Sequence, residues 1–164
     1  VTSSCQATRH PDESRQTFLD RQPTYWLKRC YQTLRRRVDA ELRPFGITLS
    51  QRDALLALRH DGPTAIGDLA TSLGLEQSSA SRLVEGLRRR GLVRLEEGPH
   101  DRRSRWAYIT DAGSDILDST PGASIVAAQL FRDELTSGEL ADLTALLKRC
   151  TNILEERDDA LNRR

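Results

Sequence analysis

Eight arginines fall between Arg82 and Arg105, against four acids, Glu85, Glu96, Glu97 and Asp101. The whole chain of 164 residues carries a formal net charge of only +1. Basic charge gathered on one short stretch is what a phosphate-binding surface requires. Where that stretch begins, Gln77, Ser78, Ser81 and Arg82 share the polar side of one amphipathic segment. Arg pairs with guanine edges or phosphate, Gln with adenine edges, and short hydroxyls let a helix approach closely. Clustered near a helix N-terminal end, such side chains suit the end that enters a major groove. Ser79 and Arg88 complete the candidate DNA-contacting set on this helix.

The elements that must hold these residues follow from periodicity. Ile66, Leu69 and Ala70 mark the inner side of a short helix. Leu73-Gly74-Leu75 reads as a tight corner, where Gly74 can supply a positive φ. A second helix is expected from Gln77 to Arg90, with Ala80, Leu83, Val84 and Leu87 on one face. Gly91 ends it after three arginines, a favourable C-terminal signature. Leu92–Glu96 and Arg105–Ile109 read as two strands around a Gly98-Pro99 turn and a charged tip, with Trp106 and Tyr108 on one side. The expected fold is mainly α with a small β-hairpin wing: a winged helix-turn-helix plus a helical dimerisation region.

The rest of the chain supplies long one-sided helices. Asp20–Phe45 is expected as one helix, with Pro23 at an early position and Leu27, Cys30, Tyr31, Leu34, Val38, Leu42 and Phe45 on one side. Ser50, with Asp53 three residues on, is expected to cap the next helix, and Thr64 the one after. Thr110 is expected to cap the helix after the wing. Pro121-Gly122 interrupts that region. Thr136 and Glu139 form a capping box before a last helix with Leu140, Leu143, Leu146, Leu147, Cys150, Ile153 and Leu154 on its apolar positions. With 37% apolar residues, 30% charged and no Met, the chain has a large surface relative to its core. Helices that bury one side against a second copy would account for this, and Leu27, Leu34, Leu143, Leu147 and Leu154 are the candidate dimer positions. The expected organisation is a tail (1–19), a dimerisation helix (20–48), the DNA-binding module (49–112), C-terminal dimerisation helices (113–158) and a short tail (159–164).

Other classes find little support. The three histidines, His10, His60 and His100, share no helical face with a Cys or paired acids. Cys5, Cys30 and Cys150 are too scattered for a disulfide framework or a metal site. There is no Gly-rich phosphate loop and no nucleophile elbow. We therefore expect no enzyme, no metal and no cofactor. No apolar stretch is long enough to span a membrane and no signal segment is visible, so a cytoplasmic chain is expected.

In four places the sequence resembles the MarR family of transcriptional regulators. These are Leu42–Gln51 (LRPFGITLSQ), Ser79–Val84 followed by Leu87 and Arg90-Gly91-Leu92-Val93, Asp101–Arg105 (DRRSR), and Ile109–Gly113 (ITDAG). Their order and spacing carry the resemblance from about Trp26 to Glu155. It implies a dimer that binds a pseudopalindromic duplex, each recognition helix in a major groove and each wing in a minor groove. It also implies a repressor released by a small aromatic or phenolic effector.

Carried over to this sequence, the wing signature makes Arg103 a minor-groove side chain, with Arg102 and Arg105 as flanking contacts. Asp101 then orients a neighbouring arginine by a bidentate pair. The implied effector site, where dimerisation helix meets winged module, draws in Tyr25, Trp26 and Tyr31 as an aromatic wall, with Arg29 and Arg52 as counter-charges. Two alternatives stay open. One is a redox switch at Cys30, with Cys150 as a partner. The other is a helical dimeric adaptor that binds protein.

Overall fold

A computed structural model describes residues 14–98, 104–131 and 134–162. The chain divides into two compact units, Val1–Ala123 and Ser124–Arg164.

The first unit opens with α1 (Arg15–Asp20) and α2 (Pro23–Leu42). The single helix expected from Asp20 is therefore broken. Pro23 disfavours helical angles at the residue before it, and Gln22 is extended at φ −96°, ψ 108°. Pro23 then starts α2 at the position where its missing N–H costs nothing. A 3-10 turn, Arg43–Phe45, ends in Gly46 at φ 70°.

Helix α3 (Leu49–Asp61) is capped by Thr48, not by Ser50. The Thr48 hydroxyl accepts from the Gln51 N–H, and the Gln51 side chain accepts from the Thr48 N–H. A reciprocal box that starts two residues earlier satisfies two orphan donors and outcompetes the weaker Ser-x-x-Asp pattern. Asp53 instead lies half-buried, and burial raises its carboxyl above the usual range against a weaker pull from Arg52.

Thr64 is not a helix cap either. Thr64–Ala65 forms β1, and the N-cap of α4 (Ile66–Ser72) is Ala65. Next come α5 (Gln77–Arg89), β2 (Val93–Glu97) and β3 (Arg105–Ile109). The sheet is antiparallel in the order β1-β3-β2, with Ala65 opposite Trp106 and Arg94 opposite Tyr108. Helix α6 (Asp111–Ser119) is capped by the Thr110 hydroxyl, which accepts from the Gly113 N–H.

The core of this unit lies between α3, α4, α5 and the sheet. Leu42, Leu55, Leu58, Leu69, Val84, Leu87, Val93 and Leu117 are essentially sealed from water. Ala80, Val84 and Leu87 are the buried face of α5, as the 3.6-residue period requires. The corner before α5 is closed by Gly74 at φ 61° and by the Leu75 N–H donating to the Ala70 carbonyl. Two ties join α3 to α6 and its C-cap. Arg59 pairs with Asp118, and the buried Arg52 donates from Nε and Nη2 to Thr120 Oγ1 and carbonyl.

The second unit contains α7, which begins at its boundary (Ala123–Phe131), and α8 (Ser137–Asn162). The Thr136–Glu139 capping box opens α8 as expected. Those hydrogen bonds hold the Glu139 carboxyl below its ordinary range. Along α8, Leu143, Leu146, Leu147, Ile153 and Leu154 are all exposed. Among the described residues, no helix is long and apolar enough to cross a membrane.

Candidate nucleic-acid interface

Helix α5 turns its polar side outward from the first residue. Gln77, Ser78, Ser81 and Arg82 are exposed and Ser79 is partly so. Arg82 shows no ion pair or hydrogen bond to another described residue. The far half of the helix differs. Arg88 donates from Nε and Nη2 to both carboxylate oxygens of Glu85, at 2.8 and 2.7 Å. That hydrogen-bonded pair holds the Glu85 carboxyl below its usual range, with further help from the charges of Arg88, Arg89 and Arg105. The same pair raises Arg88. Glu85 thus sits where the basic end of α5 and the basic start of β3 meet.

The hairpin carries a second arrangement that sequence alone did not disclose. The Arg94 guanidinium lies 4.0 Å from the centre of the Tyr108 ring and pairs with Glu96. The strand register, Arg94 opposite Tyr108, places them on one face. The loop end of the hairpin is closed by the Gly98 N–H donating to the Ser104 carbonyl at 2.8 Å. Asp101, Arg102 and Arg103, expected to carry the wing's chemistry, lie outside the described residues. Arg105 is exposed on β3.

A third group gathers at the start of α2. Tyr25 and Trp26 meet edge to face at 5.3 Å. Arg29 donates to the Tyr25 hydroxyl at 2.8 Å, and its guanidinium lies 6.0 and 5.8 Å from the two ring centres. Trp26 Nε1 donates to the Asp20 carbonyl, across the break made by Pro23. Tyr31 is exposed farther along the helix. Arg52 belongs to none of this, because its guanidinium is buried and engaged by Thr120.

Of the expected dimer positions, Leu27, Leu143, Leu147 and Leu154 are exposed and Leu34 is partly buried. Cys30 and Cys150 are free and exposed. No group of three His, Cys, Asp or Glu among the described residues could hold a metal ion.

Residues 45–104, which run from the turn after α2 through the helix-turn-helix to the foot of β3, match the MarR family. Over this stretch the chain is similar to the MarR family. The transcriptional repressor NicR of Pseudomonas putida is 30% identical over 103 residues, which span 63% of this chain and 65% of that protein. A probable transcriptional regulator from Pseudomonas aeruginosa superposes with a TM-score of 0.73 at 26% identity, covering 80% of this chain and 98% of that one. AbsC, a MarR-family regulator from Streptomyces coelicolor, superposes at 0.70 with 25% identity, over 81% and 93% of the two chains. The matched residues are those of the helix-turn-helix and its wing, and the relatives that share them are transcriptional regulators by name. Its family resemblance was legible in the sequence. Arg94 with Tyr108 was not, since it depends on strand register.

Proposed function

We propose that the chain is a homodimeric repressor that binds a pseudopalindromic operator and releases it when a small aromatic or phenolic acid binds. The observation that carries this reading is the exposed, polar N-terminal half of α5, on a helix whose far end feels the charge of Arg105 at the start of β3. In the proposed division of labour, residues 49–112 read DNA, while residues 20–48 and 113–158 assemble the dimer. Gln77, Ser78, Ser79, Ser81 and Arg82 contact the major groove. Arg102, Arg103 and Arg105, with Asp101 as the orienting acid, serve the minor groove and its flanking phosphates. Leu27, Leu34, Leu143, Leu147 and Leu154 belong to the region that a second copy covers. NicR is a repressor by name, which supports repression as the direction of control.

The effector site in this reading is the Tyr25–Trp26–Arg29 cluster with Tyr31. A cation flanked by two rings offers apolar wall and counter-charge together, which suits a flat anion. Arg52 is left out of the site, because its charge is already buried against Thr120.

The test starts by selecting an operator from a random duplex library with the parent protein. Release of that operator is then titrated with benzoate, salicylate and hydrogen peroxide. Release by the aromatic acids, lost in Arg29→Ala, is the expected result. Release by peroxide from the parent but not from Cys30→Ser, with neither acid active, makes the protein a redox switch instead.

A further inference from the structure

Three arginines end α5 in succession, and each has a different occupation. Arg88 is paired with Glu85, and Arg89 adds its charge near that pair. Arg90 turns the other way. Its Nη1 donates to the Gly46 carbonyl and its Nη2 to the Phe45 carbonyl at 3.2 Å. These two acceptors lie 44 and 45 positions earlier in the chain, at the corner between α2 and α3. They are end-of-helix carbonyls of the kind that lack an intrahelical donor. A planar guanidinium with fixed, forked donors can bridge two such oxygens, whereas an ammonium offers one point of charge.

The corner is gripped from its other side as well. Asp39 on α2 accepts from the Leu49 N–H, the first of α3, at 2.7 Å. Gly46 holds the corner's left-handed φ of 70°, and a Cβ there would sit 3.2 Å from the Arg90 guanidinium. The opposite end of α5 is fixed by the turn at Gly74. Both ends of the helix are therefore held, one by backbone and one by Arg90.

We propose that Arg90 is a positioning residue for DNA recognition: it pins the exit of α5 to the α2–α3 corner and sets the angle at which Gln77–Arg82 meet the groove. The proposal rests on α5 being the helix that reads DNA. In it Arg90 touches no phosphate, despite its charge and its place beside Arg88 and Arg89. It also links α5 mechanically to α2.

Fluorescence anisotropy on full-length Arg90→Ala, Arg90→Lys and Arg82→Ala tests this. The probes are the operator selected from a random library and a scrambled duplex of the same composition, titrated across a salt series. A tilted helix misplaces its base contacts, so Arg90→Ala should lose on the order of tenfold on the operator, comparable to a mismatched base pair. Its affinity for the scrambled duplex and its salt slope should stay at the parent's values, with Arg90→Lys falling between parent and Ala. A salt slope shallower by roughly 0.9, the share of one neutralised phosphate, makes Arg90 a phosphate ligand and overturns the proposal. Equal losses on both duplexes, or failure of both Arg90 variants to fold by far-UV circular dichroism, make its role merely structural and overturn it too. Unchanged operator binding by Arg90→Ala, with Arg82→Ala weakened, removes Arg90 alone. If Arg82→Ala also binds like the parent, the assignment of α5 to DNA falls, and the proposal falls with it.

Discussion

At the scale of single residues, Glu85 decides how much of the α5 charge would be offered to DNA in the proposed reading. Its carboxylate ties up Arg88 bidentately and is stabilised further by Arg89 and Arg105. A carboxyl held below its ordinary value contributes its pairing above the usual Glu range and loses it as pH falls through the lowered value. At neutral pH the pair is intact and Arg88 is neutralised. Glu85→Gln is therefore expected to strengthen binding to duplexes of any sequence and to steepen the salt dependence by roughly 0.9 for each further phosphate neutralised. Anisotropy titrations at two salt levels check this. A loss confined to the operator would show instead that Glu85 accepts from a cytosine amino group. The parent should gain a similar non-specific component only below the usual Glu range.

At the scale of elements, the exit of α5 depends on a close approach between backbones. Thr110 donates from its hydroxyl to the Gly91 carbonyl and from its N–H to the Leu92 carbonyl. A Cβ on Gly113 would lie 2.2 Å from the Leu92 oxygen. Backbone cannot retreat as a flexible side chain can, so Gly113→Ala should destabilise the module by about 1–3 kcal/mol, the usual range for overpacking. Chemical denaturation of parent and variant measures it, and an unchanged midpoint would mean that α6 slides freely against β2.

How far the elements were legible follows from the range of the interactions that set them. The two helices of the helix-turn-helix carry their own period, and Gly74 and Gly91 mark the turn between them and the exit of the second. Residues as close as Thr136 and Glu139 also announce themselves. The caps of α3 and α4 were misplaced for different reasons. Thr48 with Gln51 wins over its near neighbours Ser50 and Asp53, and Thr64 is drawn into a strand by Ala107, a partner far along the chain. Long reach hid Arg90 as well, since nothing near Arg90 in sequence points to Phe45 and Gly46. Arg52 looked like a free counter-charge, and only Thr120, 68 positions away, shows how it is engaged.

At the scale of the whole molecule, the exposed leucines need an occupant. Leu143, Leu146, Leu147, Ile153 and Leu154 recur at helical spacing on a helix without a buried residue between Ala141 and Arg157. Exposed apolar surface of that extent marks an interaction site. Light scattering at low micromolar concentration should give twice the chain's 18.5 kDa. Leu143→Asp with Leu147→Asp should reduce it to one chain and abolish tight operator binding, because two half-sites then no longer act together. A parent mass of a single chain would end the dimer proposal and the two-fold operator with it.

The tie between Arg52 and Thr120 has a topological consequence. The segment that contains the helix-turn-helix and the wing starts and finishes at touching points, so it forms a closed loop in space. A loop whose ends already meet can be transplanted into another host without stretching either chain, since termini in proximity are what domain insertion requires. Arg90 sets the smallest piece that would still present its helix correctly. A graft beginning at Leu49 leaves behind Phe45 and Gly46, and with them the fixed point against which the helix is held. Beginning at Arg43 keeps that fixed point.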